Sequence, residues 1–128
     1  MHVSQSPFRS ALLTFLLCSP LALLAQIEDA PYVFRELRAL EGTWFMPTDR
    51  GDRLELWTIA DDSTYLGRGL RIKPENGDTV TLETLRLELR RDTITYYALA
   101  RGQNKNKPVP FRLTSADYEG YLFENPKH

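Results

Sequence analysis

The sequence predicts an all-β fold, an antiparallel meander that curls into a barrel behind a short N-terminal helix. From residue 43 onward, segments rich in threonine, tyrosine, leucine and valine alternate with turn residues about every 8 to 12 positions, a rhythm typical of sandwiches and barrels. The apolar residues of one segment change sides beside Glu83 and Thr84, which an uninterrupted strand with one buried face cannot do. A β-bulge or sharp bend would explain the change. Gly67 and Gly69, which share one strand face, also indicate curvature, so a closed barrel is favoured over a flat sandwich.

The first 25 residues have the layout of a secretory signal peptide. Arg9 places a positive charge before the apolar residues 11–17, and after a break at Pro20 the chain continues apolar through residues 21–25. A membrane-spanning helix needs about 20 predominantly apolar residues, and this stretch is interrupted too early. We therefore predict a signal peptide over residues 1–25.

Cleavage near Ala25 leaves residues 26–128, a length that fits one domain with one core. The prediction is an exported protein of the periplasm or the cell exterior, not an integral membrane protein once the signal is removed. A lipid anchor on Cys18 is the alternative, but Leu17 stands where lipid-attachment signals require a small residue.

The composition excludes several classes of function. The chain carries 16 Lys and Arg against 17 Asp and Glu, a formal net charge of -1 with both signs interspersed, so bulk charge attracts neither nucleic acid nor an anionic membrane. Its single cysteine lies in the predicted signal, which leaves residues 26–128 without disulfides and without the usual structural zinc site. Stability must then come from apolar burial and sheet hydrogen bonds. The oligomeric state stays open.

A short amphipathic helix is predicted ahead of the strands. Val33, Leu37 and Leu40 recur at helical spacing after Pro31. The helix is expected to end at Gly42, because glycine is a common helix terminator.

Seven strands are predicted after the helix, each bounded by turn residues. Asn76-Gly77 is the strongest hairpin signal, residues 49–52 and 61–63 are further turns, and residues 102–108 form the longest polar loop. The predicted strands comprise residues 43–46, 53–59, 64–72, 79–90, 93–100, 109–114 and 118–124.

The first strand opens with Gly-x-Trp, and the last closes with Phe-Glu-Asn-Pro-x-His. The residues of these two motifs are Gly42, Trp44, Phe123, Glu124, Asn125, Pro126 and His128. Together with residues 55–57, 66–67, 82–86 and 110–113 between them, in this order, the motifs resemble an uncharacterised family of bacterial exported lipocalin-like domains of the calycin type, a domain of unknown function. The resemblance covers nearly all of residues 26–128.

The resemblance implies a barrel and no activity. It also implies that an Asp-Phe-Pro segment and a last strand with an arginine should follow the closing motif, the arginine packing across Trp44 as in calycins. This sequence stops at His128, before either feature. We therefore expect a truncated chain and an incomplete barrel of about seven strands, with the last strand missing and an open edge between the first and last strands.

Residues that face the barrel interior are the candidate binding site, because a barrel of about eight strands is just wide enough to hold one small ligand. Charged residues within apolar strand faces are of particular interest, since a charge on an inward face must be paired or solvated. They could equally point outward to solvent or form a structural ion pair. The predicted lining is Trp57, Leu66, Arg68, Glu83, Leu85, Arg86 and Tyr97.

Neither catalysis nor a cofactor is predicted. Residues 26–128 contain only Ser63 and Ser115 as serines and His128 as histidine, with no Gly-x-Ser-x-Gly motif, so no nucleophile, base and orienting acid are expected to meet. The clustered aspartates lie in turns, where aspartate is ordinary, and no metal site is predicted. Haem held by His128 is an alternative that rests on one ligand.

The predicted function is binding of a small hydrophobic or amphipathic molecule inside the barrel. The alternative, from a different class, is a protein-interaction module that recruits a partner by strand addition to an exposed sheet edge. A haem-binding barrel and an enzyme rank behind these two.

Overall fold

One antiparallel sheet of seven strands, paired in chain order, forms a half-barrel in the computed structural model, which describes residues 27–128. This architecture agrees with the incomplete barrel predicted from the sequence. The signal peptide predicted over residues 1–25 lies outside the described residues. The strands are β1 (Gly42–Met46), β2 (Arg53–Asp61), β3 (Thr64–Ile72), β4 (Thr79–Arg90), β5 (Thr93–Ala100), β6 (Val109–Asp117) and β7 (Gly120–Glu124).

A short helix, α1 (Ala30–Glu36), precedes the sheet and continues as a 3-10 helix, Leu37–Leu40. The Asp29 carboxylate caps α1 by accepting a hydrogen bond from the Tyr32 amide at 3.2 Å, which satisfies one free N–H group of the first turn. The predicted helix is thus present, and its last turn is tightened into the 3-10 geometry that is common at helix ends. Its buried face consists of Ala30, Phe34, Leu37 and Leu40.

The bend predicted beside Glu83 is present as an irregularity of the β3–β4 pairing. Gly69 pairs with Glu83, whereas the next residue, Leu70, pairs with Thr81. Strand β4 therefore has one extra residue, Leu82, and this is the geometry of a β-bulge. Because a bulge bends its strand and increases the local twist, it helps to curl the sheet around its concave face.

Gly67 allows an aromatic ring to lie across β3. A Cβ at this position would lie 3.0 Å from Leu85 Cβ and 3.0 Å from two ring atoms of Trp57. Trp57 is 2% exposed, so its indole fills the space where any other residue would place a side chain. A tryptophan on the neighbouring strand therefore explains why a glycine occupies this position.

The apolar core lies where α1 covers the sheet. The ring of Phe34 stacks on Tyr65 with 4.2 Å between centroids, and the Tyr65 hydroxyl donates a hydrogen bond to the Phe34 carbonyl oxygen at 2.8 Å. That bond satisfies a buried hydroxyl and attaches the helix to β3. We call this region the helix end, defined by Phe34, Leu37, Tyr65, Leu87, Ile94, Leu113 and Phe123.

The connection between β6 and β7 differs from the prediction, which began the last strand at Tyr118. Strand β6 instead extends to Asp117, and Tyr118 lies in the turn with 93% of its surface exposed. The Asp117 carboxylate accepts hydrogen bonds from the Glu119 amide at 2.8 Å and the Gly120 amide at 3.3 Å. Aspartate side chains commonly close turns in this way, and Gly120 supplies a positive φ of 142°.

Candidate functional site

The other end of the concave face carries charges. Arg53 lies on the same side of β2 as buried Trp57, because side chains alternate along a strand. Arg53 pairs with Met46 of β1 on one side and with Arg71 of β3 on the other. Like charges directly opposite each other are unfavourable in a sheet, so a negative charge nearby would stabilise the two arginines.

The next row of paired residues supplies carboxylates. Glu55 of β2 and Glu83 of β4 both pair with Gly69 of β3. A Cβ on Gly69 would lie 2.9 Å from Glu83 Cγ, so the Glu83 side chain occupies the space beside the glycine. Trp57 Nε1 donates a hydrogen bond to Glu55 Oε1 at 2.7 Å. We call this region the charged end, defined by Arg53, Glu55, Arg71 and Glu83.

The ionisation of Glu83 depends on these neighbours. Burial raises the pKa of the Glu83 carboxyl, the negative charge of Glu55 raises it further, and the positive charge of Arg53 lowers it. The hydroxyl of Tyr96 belongs to the same environment, because burial first, and then Glu83 and Glu55, raise the pKa of Tyr96. The charged form of Glu83 is therefore disfavoured in the folded chain, and Arg53 opposes that effect.

A cavity of about 450 Å³ opens at the charged end. The Nε atom of Arg71 is buried there and has no hydrogen-bond partner within residues 27–128. An unpaired buried donor costs free energy, so an acceptor placed against it would be favourable. The lining consists of Met46, Thr48, Asp49, Arg50, Arg53, Arg71 and Leu82.

This lining combines apolar and charged groups, with three arginines against one carboxylate, Asp49. Met46 and Leu82 provide apolar surface, and the three arginines provide N–H donors whose planar geometry matches carboxylate, sulfonate or phosphate oxygens. Leu82 is the extra residue of β4, so the bend that curls the sheet also shapes the cavity. Such an arrangement can bind and orient a small molecule. In the described part of the chain there is no group of three or more His, Cys, Asp or Glu that could hold a metal ion.

Three predicted lining residues lie on the concave face: Trp57, Glu83 and Leu85. Trp57 and Leu85 are buried beside Gly67, between the helix end and the charged end. Glu83 belongs to the charged end, near the cavity. The structure therefore brings one predicted ionisable residue, Glu83, to the interior.

The other four predicted lining residues lie on the convex face, which corrects that placement. Buried Tyr65 and Gly67 occupy the concave side of β3, so alternation turns residues 66 and 68 outward. Residue 66 is 46% exposed. Cross-strand pairing extends the same face from residue 66 to residues 86 and 97. The four residues are Leu66, Arg68, Arg86 and Tyr97.

Arg86 takes part in a structural arrangement on this convex face. Its guanidinium lies 4.3 Å from the centroid of the Tyr97 ring, a cation–π contact. Its Nε lies 3.2 Å from Glu88 Oε2, within ion-pair distance although this N–H makes no hydrogen bond. The structural ion pair considered for Arg86 thus forms with Glu88 and not with Glu83.

Sequence reasoning did not find Arg53, Arg71 or Leu82. Arg53 could have been found, because it alternates in phase with Glu55 and Trp57. Leu82 lies at the bulge, where alternation gives no direction. Arg71 lies on the same face of β3 as Gly67 and Gly69, so its inward orientation can be assigned only when that face is known to be the concave one.

The opening motif joins the helices to the sheet. Trp44 Nε1 donates a hydrogen bond to the Leu40 carbonyl oxygen at 2.7 Å, four residues earlier. Gly42, between them, has a φ of 124°, which side chains of L-residues rarely adopt. This motif therefore has a structural role in these contacts.

The closing motif ends the sheet. Phe123 is 1% exposed in the core, and Asn125 Nδ2 donates a hydrogen bond to the Pro110 carbonyl oxygen at 2.7 Å. The His128 ring lies 6.5 Å from the Phe111 ring, beside a second cavity of about 320 Å³. Haem binding through His128 stays a prediction.

Strands β1 and β7 are the two edges of the described sheet, and strand addition at an edge stays a prediction as well. None of the helices within residues 27–128 has the length and apolar character needed to cross a membrane. No protein-family model matches the chain, and neither curated proteins nor solved structures show significant similarity to it.

Proposed function

We propose that this half-barrel binds a small amphipathic molecule in the cavity at the charged end. The observation that carries the proposal is the mixed lining, in which Met46 and Leu82 face the same space as Arg53 and Arg71. An apolar part of a ligand can cover the two apolar side chains while its polar group meets the guanidinium groups. Export, as predicted from residues 1–25, would place this binding outside the cytoplasm.

The size of the cavity supports the proposal. Small-molecule sites typically enclose about 300 to 1,000 Å³ and combine apolar walls with a few placed polar groups. The cavity of about 450 Å³ lies within that range. The lipocalin-like resemblance implies a barrel and no activity, so the proposal rests on the cavity and its lining.

A fluorescent titration tests the proposal. N-phenylnaphthylamine, a neutral apolar dye, should become brighter on binding, and decanol should displace it. Leu82→Trp places a larger side chain in the cavity lining and should weaken dye binding about tenfold or more. Leu66→Trp is the matched control, because Leu66 lies on the convex face with 46% of its surface exposed.

Equal weakening by the two substitutions would place the dye elsewhere. Absence of any dye or decanol binding to the folded chain would contradict the proposed function.

A further inference from the structure

The charged end contains one buried donor that has no acceptor among residues 27–128. Arg71 Nε is buried without a hydrogen-bond partner within residues 27–128, and the neighbour across the strand is another cation, Arg53. Two adjacent guanidinium groups offer several N–H donors and a doubled positive charge to a single acceptor group. The chemistry of this position fits an anion.

Glu83 influences the same position from inside the half-barrel. The positive charge of Arg53 lowers the pKa of Glu83, and the Glu83 side chain lies beside Gly69, in the row next to the arginines. An anion bound at Arg53 would neutralise the positive charge that favours the ionised form of Glu83 in the free protein. The anion and the Glu83 carboxylate therefore compete for one counter-charge.

We propose that the polar group of the ligand is an anion held by Arg71 and Arg53, and that Glu83 takes up a proton when the anion binds. This inference rests on the proposed function and deepens it by naming the ligand class and its linkage to pH. The ligand is an amphipathic anion such as an alkyl carboxylate, sulfonate or phosphate.

Each element around Glu83 contributes to its proton equilibrium. Strand β2 contributes Glu55, which favours the protonated form, and Arg53, which favours the ionised form. Strand β3 places Arg71 in the adjoining row, and β5 contributes the hydroxyl of Tyr96. From β1, Met46 and Trp44 face this region and carry no titrating group.

The direction of the linkage follows from these charges. Burial already raises the pKa of Glu83 in the free protein, and an anion that neutralises Arg53 raises it further. Affinity for the anion therefore increases as the pH falls through the Glu83 pKa of the complex, and levels off below that of the free protein. Each unit of additional pKa shift corresponds to about a tenfold gain in affinity.

Decanesulfonate is the appropriate probe, because its sulfonate stays ionised across the titration range of carboxyl groups. Isothermal titration should show decanesulfonate binding more tightly than decanol. Arg71→Met keeps the length of the side chain but removes the charge, and should weaken decanesulfonate binding about tenfold to a hundredfold while changing decanol binding little. Arg68→Met, an exposed arginine on the other face of β3, is the matched control and should leave both affinities unchanged.

Proton uptake is tested by repeating the decanesulfonate titration between about pH 4 and pH 8, a range that begins near the ordinary carboxyl pKa and extends well above it. Wild-type affinity for decanesulfonate should increase toward acid, and the heat should depend on the buffer because protons are taken up. Glu83→Gln should bind decanesulfonate at pH 8 as tightly as the wild type does in acid, with a flat pH profile between these values. Glu119→Gln, in the exposed turn between β6 and β7, should retain the wild-type profile.

The possible outcomes separate the two proposals. Equal binding of decanol and decanesulfonate, with no effect of Arg71→Met, leaves the amphipathic site in place but overturns the anion. A flat wild-type pH profile overturns the proton linkage. So does an unchanged Glu83 carboxyl titration, followed by NMR, when decanesulfonate is added to the wild type. Both measurements use the wild type, so they hold even if the Glu83→Gln variant does not fold. Absence of binding by either compound overturns the proposed function itself.

Discussion

The helix end and the charged end share strands β3 and β4, yet they place different kinds of side chain on the concave face. At the helix end, α1 covers inward-facing aromatic and aliphatic residues, and Phe34 is fully buried against Tyr65. At the charged end, the inward-facing residues are Arg53, Glu55, Arg71 and Glu83, beside a cavity. The difference shows how one sheet separates its apolar core from a cluster of charged side chains along the length of its strands.

The separation has a physical reason. Apolar burial stabilises the fold by roughly 25 cal/mol for each Å² removed from water, and the helix supplies the cover that makes such burial complete. Charges buried without full pairing are costly, so they persist only where solvent or a ligand can reach them. The following changes should break or sharpen this contrast, from the largest expected effect to the smallest.

The largest effect is expected at the helix end. Phe34→Ala removes a ring with no exposed surface and its stacking partner for Tyr65, so the free energy of unfolding should fall by about 3 to 5 kcal/mol in urea denaturation. Leu82→Ala at the charged end is the comparison, and should cost less than about 2 kcal/mol because Leu82 already lines a cavity. Similar losses for the two variants would show that the two ends contribute equally.

The two glycines of β3 should respond differently to an added methyl group. In Gly67→Ala the new Cβ would meet the packed Trp57 ring and Leu85 Cβ, so we expect a loss of about 1 to 3 kcal/mol. In Gly69→Ala it would meet the flexible Glu83 side chain, which can rotate away, so the loss should stay below about 1 kcal/mol. Thermal unfolding of the two variants checks the order, and a larger loss for Gly69→Ala would contradict it.

The smallest effect, and one of opposite sign, is expected at Glu83. Because burial raises its pKa above that of the unfolded chain, the ionised carboxyl opposes folding at neutral pH, and the wild type gains stability as the pH falls through the folded pKa. Glu83→Gln should therefore stabilise the chain slightly at pH 7, and this advantage should disappear once the pH falls below the carboxyl pKa of the unfolded chain. Urea denaturation at pH 7 and below that pKa measures this change.

Glu119→Gln, on an exposed turn, should show no comparable gain at pH 7. A Glu83→Gln variant that is less stable than the wild type at pH 7 would mean that the charge of Arg53 outweighs burial, which would contradict the raised pKa of Glu83.

Sequence patterns predicted the strands and the bend because both are local. The change of phase of the leucines beside Glu83 can be explained only by an irregularity in the strand, and β4 has such an irregularity at Leu82. The faces of β3 were harder to assign. Its outer side carries Leu66, an apolar residue that is exposed, while its inner side carries two glycines that have no hydropathy signal.

The sequence by itself determined the antiparallel strands, the short amphipathic helix and the position of the bulge, since each depends on neighbouring residues. Only the tertiary structure decided that Glu55 and Glu83 flank Gly69 and that Arg53 pairs with Arg71. These contacts depend on the register between strands and on which face the helix covers. Both depend on packing between residues far apart in the chain, and local sequence patterns do not predict that packing.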